Sequence, residues 1–170
     1  MSQTDSICPG CGLSLPRNDT AVFDGYYNAS AECWGLYTEV LGAEYSNAVL
    51  FGQVHQLTVD AYAVQHAGGT HPDKSVGIHL CGLHLVIERG VSPPRVPPLL
   101  QRLAGSVAAW PRLDPPASVS APTVFDVAFC DTAQDHATVV KEWSQSVWTE
   151  WSQHHSTVEA LIAEHLAGAV

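Results

Sequence analysis

Positive charge is scarce in this chain. Its 170 residues include two lysines, Lys74 and Lys141, and five arginines against seventeen acids, a formal net charge of -10. No basic stripe exists to neutralise phosphates or anionic lipid, which argues against nucleic acid and the membrane surface as partners. Long apolar runs are also missing: none reaches the roughly 18 residues that a membrane span requires. Met1 to Asp5 have neither the basic start nor the apolar run of a secretory signal, so the expected location is the cytoplasm. Paired cysteines are lacking as well. Five is an odd count, and Cys33, Cys81 and Cys130 stand alone in helical or apolar surroundings, which points to reduced thiols or metal thiolates rather than a disulfide framework. No internal repeat or low-complexity tract is found. With 46% hydrophobic and 14% charged residues, the expectation is one globular domain over 1–170.

Hydrophobic periodicity predicts a mainly α fold, a helical bundle with an N-terminal Cys-x-x-Cys metal knuckle and a proline-rich connection before a long last helix. Residues 1–27 form the knuckle and its lead-in, and 28–90 hold three helices. The first, about Asn28 to Tyr45, carries Trp34, Tyr37, Leu41 and Tyr45 at spacings of three and four, with Asn28 or Ser30 as cap. The second, roughly Ala48 to His66, is apolar almost all round and ends at Gly68-Gly69, so it should be central. The third runs from about Lys74 to Arg89 and stops at Gly90. Most of the eleven prolines then fall in 91–130, interrupted by a short helix around Leu99 to Trp110. The last helix should span 131–167 from a cap near Asp131 or Thr132. Short β segments are expected at most around Ala21 to Tyr26 and Thr123 to Phe129.

The chemistry centres on Cys8-Pro9-Gly10-Cys11-Gly12. Two thiols at this spacing can face one tetrahedral metal, most readily Zn2+, and Gly12 permits the tight turn. A thioredoxin-like motif would need a preceding strand and a following helix, and neither is expected here. No second Cys-x-x-Cys exists, so other ligands must come from the fold. Short connections make successive helices antiparallel, which brings Cys33, His66 and His79 to one end of the bundle. Each has a plainer alternative: Cys33 as a small buried hydrophobe, His66 as a favourable charge at a helix C-terminus, His79 as a hydrogen-bonded core imidazole. His71 is a reserve loop ligand. His55 is three turns from His66, roughly 16 Å by helical rise, so the two cannot share an ion.

Asp60 is the one carboxylate inside the second helix, on an apolar side where an isolated charge is costly unless paired. On the last helix, His154 and His155 should point inward among the tryptophans, toward the metal, Asp60 or a ligand. His84 shares a face with Cys81 and Glu88 that reads as solvated.

Taken together, Cys8-Pro-Gly-Cys11-Gly, Asn28-Ala-Ser-Ala-Glu-Cys33-Trp34, Asp60-Ala-Tyr62-Ala-Val-Gln65-His66, His79-Leu80, Trp110-Pro111 through Pro115-Pro116, and Val147-Trp148 through His154-His155 resemble an uncharacterised bacterial family known only as a domain of unknown function. The resemblance covers nearly the whole chain and implies one module, but no activity. One position departs from the expected pattern: Ala67, not proline, follows His66.

Three functions fit these residues. One is a metal-dependent hydrolase of a small substrate, with zinc on Cys8, Cys11 and one or two of Cys33, His66 and His79, and Asp60 or His155 as general acid or base. Another is a non-catalytic module in which zinc staples the knuckle to the bundle while the Trp- and His-lined face binds a small molecule or a protein partner. The third is a redox or metal-sensing regulator using the Cys8-Cys11 pair. The oligomeric state is left open.

Overall fold

The computed structural model describes residues 5–120 and 122–170, and among them the chain is mainly α-helical. A small antiparallel hairpin comes first, β1 (Asp5–Ile7) paired with β2 (Ser14–Pro16), with the Cys8–Cys11 turn at its tip. Helices α1 (Ala31–Tyr45), α2 (Ala48–Gln65) and α3 (Asp73–Ile87) follow. After them come α4 (Val96–Ser106), α5 (Val124–Ala128), α6 (Ala133–Glu150) and α7 (His155–His165). No helix among the described residues is long and apolar enough to cross a membrane.

Capping explains most helix starts. Ser30 accepts from Cys33 N, Asn47 from Leu50 N and Thr132 from Asp135 N, each side chain satisfying a backbone N–H that the helix itself cannot. Helix α2 is the central element, packed against α1, α3 and α6. Burial on three sides explains why it is apolar all round. Its buried polar side chains accordingly each find at least one partner. Gln65 accepts from Trp143 Nε1 at 3.0 Å and donates to the Pro122 carbonyl at 3.1 Å, pinning the proline-rich connection between α2 and α6.

The structure departs from the sequence reading in several places. The segment Thr123–Phe129, expected as β, forms α5. Thr123 and Asp126 make a reciprocal capping box, and that local signal outweighs the β-branched and aromatic content. Ala21–Tyr26 forms no strand. The short helix in the proline-rich stretch begins at Val96, with prolines in its first turn, where a missing N–H costs nothing.

The last helix is two helices rather than one. It breaks at Trp151 through a 3-10 turn over Ser152–His154. In a continuous helix the Trp148 carbonyl would receive Ser152 N; here it accepts from Trp151 N at 3.1 Å and from His155 Nε2 at 2.8 Å. The break turns α7 back across α3. That corrects the reading of His84, which is 1% exposed rather than solvated because the returning segment covers its face, with Trp148 edge-on at 5.5 Å.

Candidate metal centre

Helices α1 and α2 form an antiparallel hairpin whose open end carries Cys33, three residues past the Ser30 cap, and His66, the residue that ends α2. The β1–β2 turn folds over that end. Cys8 N donates to Leu13 O at 2.8 Å and Gly12 N to Cys8 O at 2.9 Å, with Gly12 at φ +75°, so the turn is closed by its own backbone. Gly10 lets it dock. A Cβ there would lie 2.7 Å from His66 Cδ2 and would also collide with the Asn28 carbonyl. Asn28 fastens the lead-in, donating from its backbone to His66 O at 3.0 Å and from its side chain to Ala67 O at 3.2 Å.

The result gathers Cys8, Cys11, Cys33 and His66, all buried, with one donor atom from each within 4.8 Å of the others. None of the cysteines is in a disulfide. Cys11 Sγ lies 3.8 Å from Cys33 Sγ, and Cys33 Sγ lies 3.3 Å from His66 Nε2. A zinc tetrahedron with bonds of about 2.3 Å to sulfur and about 2.0 Å to nitrogen has edges of roughly 3.8 Å (S–S) and 3.5 Å (S–N), so both spacings fit. The outer hydrogen bonds fit too. His66 Nδ1–H donates to the Tyr62 carbonyl at 2.8 Å, which leaves Nε2 as the nitrogen that faces the thiols and could bind a metal. The Tyr62 hydroxyl donates to Cys33 Sγ at 3.7 Å.

Proton sharing within the cluster has the same origin. Cys11, and after it Cys33, hold the Cys8 thiol well below its usual range, while Cys11 and Cys8 hold Cys33 well above. Burial opposes a charged imidazole at His66, yet the thiols of Cys11 and Cys8 lift it to about 9. A bound divalent cation would supply the positive charge that these crowded donors otherwise draw from protons.

The other predicted site residues lie elsewhere. His79 sits six residues into α3, about 9 Å along the axis from its start, too deep to reach the end of the bundle. It donates instead from Nδ1 to Asp60 Oδ1 at 2.7 Å. Asp60 is fully buried. Its Oδ1 also accepts from Gln56 at 2.8 Å, whereas Oδ2 has no hydrogen-bond partner among the described residues and lies against Gly82, where any Cβ would collide with it. Burial raises its carboxyl above the usual range, opposed by His79. His155 stacks on Trp148 with ring centroids 3.7 Å apart and is committed to the helix break. His154 donates to the Asp114 carbonyl at the surface. His71 donates to the His66 carbonyl at 3.1 Å and accepts from Ser75 at 2.8 Å, so neither of its nitrogens is free.

Sequence reading missed a second buried polar cluster. Glu44, 0% exposed, accepts from Thr58 Oγ at 2.5 Å, from His136 Nε2 at 3.0 Å and from His55 Nδ1 at 2.7 Å. A carboxylate on the inward face of the α1 periodicity was the available signal.

Fold and site together define a mainly helical protein with a buried Cys3His cluster compatible with metal binding. The chain belongs to DUF5946, a family of unknown function whose model matches residues 6–152. Neither the curated proteins nor the solved structures contain a match to it.

Proposed function

We propose that the protein is a zinc-stapled helical module, in which Zn2+ bound by Cys8, Cys11, Cys33 and His66 fastens the N-terminal knuckle to the α1–α2 hairpin. The observation that carries this reading is the convergence of four buried donors within 4.8 Å, enough to close a tetrahedron. Three thiolates and one imidazole suit zinc over harder cations. A metal-dependent hydrolase needs a ligand position left open to water, and the complete donor set favours the non-catalytic reading. Asp60 and His155, the acid–base candidates for hydrolysis, are each engaged in other contacts. A small-molecule ligand has room in a cleft of about 470 Å³ beside the knuckle, walled by the end of α2 and by residues 115–119. Thiols held as metal ligands suit a reducing compartment such as the cytoplasm.

Protein purified without added metal should hold about one equivalent of zinc by elemental analysis. Cys8→Ser should lower metal content and melting temperature together. A preparation holding well under one equivalent, or a Cys8→Ser variant with both quantities unchanged, would refute the reading.

A further inference from the structure

The four candidate ligands differ in access. Cys33 and His66 are 0% exposed and Cys8 is 1% exposed, whereas Cys11 is 8% exposed. Cys11 is also the one cluster residue lining the 470 Å³ cleft between the knuckle, Gly68-Gly69 and the Pro115–Val119 segment. The cleft is lined mostly by glycine, alanine, proline and other uncharged residues, and Glu150 is the only charged one among the described residues. A small neutral molecule can therefore enter without losing a charge-bearing hydration shell.

We propose that Cys11 is an oxidation site, reached through this cleft by a small peroxide and resolved by Cys33. The inference rests on reading the cluster as a zinc centre. The Cys11 thiolate attacks one peroxide oxygen; the O–O bond breaks, hydroxide (or alkoxide) leaves, sulfur is oxidised to the sulfenic acid and the peroxide is reduced. The Cys33 thiolate, 3.8 Å away, then attacks the Cys11 sulfur, forming S–S as S–O breaks and a second hydroxide departs. The sulfurs need to close by less than 2 Å to reach a disulfide bond length of about 2.05 Å. The metal, left with Cys8 and His66, loses half its ligands and is released. Cys130, the more exposed thiol, is the internal competitor, but burial and its acidic neighbours hold it in the protonated, less reactive form.

The test uses the full chain, analysed for zinc and then titrated with substoichiometric hydrogen peroxide. Zinc release is followed with a chromogenic chelator, and the linkage is mapped by mass spectrometry after blocking free thiols. Zinc should leave in proportion to peroxide consumed, with Cys11–Cys33 as the first disulfide. A bulky residue at the cleft rim, Ala117→Trp, should slow release severalfold at unchanged zinc content. Oxidation of Cys130 first with zinc retained, a first disulfide without Cys11, or an unchanged rate in Ala117→Trp would overturn the proposal. Protein that carries no zinc yet forms the Cys11–Cys33 link first would refute the staple and leave the oxidation chemistry standing, so the two failures are separable.

Discussion

The two ends of the α1–α2 hairpin solve the same problem by different means. Each buries polar groups where the helices meet: Cys33 and His66 at the open end, Glu44, His55 and Thr58 toward the turn. Cys33 and Glu44 are eleven residues apart on α1, and His55 and His66 eleven apart along α2, roughly 16 Å in each case. Near the turn the carboxylate has protein donors for both oxygens, supplied by α2 and by His136 of α6, and needs nothing from outside. At the open end three thiols and an imidazole converge, with no Lys or Arg among the four. A self-sufficient cluster stabilises the chain whatever the solution holds, whereas a cluster of soft donors, under the proposed staple, would tie stability to metal supply and to thiol chemistry.

The largest effect should come from breaking the open end alone. Stripping the proposed zinc with a strong chelator, or replacing Cys33 with Ser, should cost several kcal/mol and lower the melting temperature by roughly 10–20 °C, since 1 kcal/mol corresponds to about 2–4 °C at this size. Calorimetry with and without chelator measures it, and a shift under about 2 °C would remove the asymmetry between the two ends. Glu44→Gln attacks the other end and should cost about 3 kcal/mol at neutral pH with zinc content unchanged.

The pH dependence of the Glu44 cluster follows from its environment. Burial alone would raise the Glu44 carboxyl, but His136, His55 and Thr58 together hold it below the usual range. Its contribution is therefore present above about pH 4.3, the unfolded value, and is lost as pH falls through the lower folded value. Acid titration of wild type and Glu44→Gln should show this component in the first and not in the second.

Gly10→Ala probes how tightly the knuckle must dock. The added methyl meets His66 Cδ2 at 2.7 Å, so the turn must lift and zinc affinity should fall about 10- to 100-fold, as it does when supports of ligands are disturbed. Competition with a chelator of known affinity measures the change. Unchanged affinity would mean that the turn reaches the metal without lying on α2.

How much of this was legible depends on distance along the chain. Cys8 and Cys11 declare themselves by spacing, and Cys33 and His66 by standing at the ends of two helices whose short connection forces them antiparallel. His79 was misplaced because a helix start is a location while a ligand must be within a turn of it; six residues put His79 beside Asp60 instead. Glu44 was missed because its partner His136 is 92 positions away on α6, and no local pattern encodes that meeting. The break at Trp151 was hidden for a related reason. It is stabilised by a histidine seven residues after the carbonyl it bonds, against a periodicity that continues through the break.

His79 and His155 sharpen the comparison because neither belongs to either end. His79→Ala leaves the buried Asp60 carboxyl with Gln56 as its remaining partner among the described residues and should cost about 2 kcal/mol, the cost of leaving a buried polar group short of a partner. The smallest effect should be that of His155→Ala. It removes one stacked ring and one donor at a helix break and should cost about 1 kcal/mol, a shift of about 2–4 °C. Both variants should keep one equivalent of zinc. Had either histidine been a ligand or the acid–base partner of a metal-bound water, its loss would change metal content or a metal-dependent activity out of proportion to stability. Equal zinc with a modest melting shift in both would confine the metal chemistry to the open end of the hairpin.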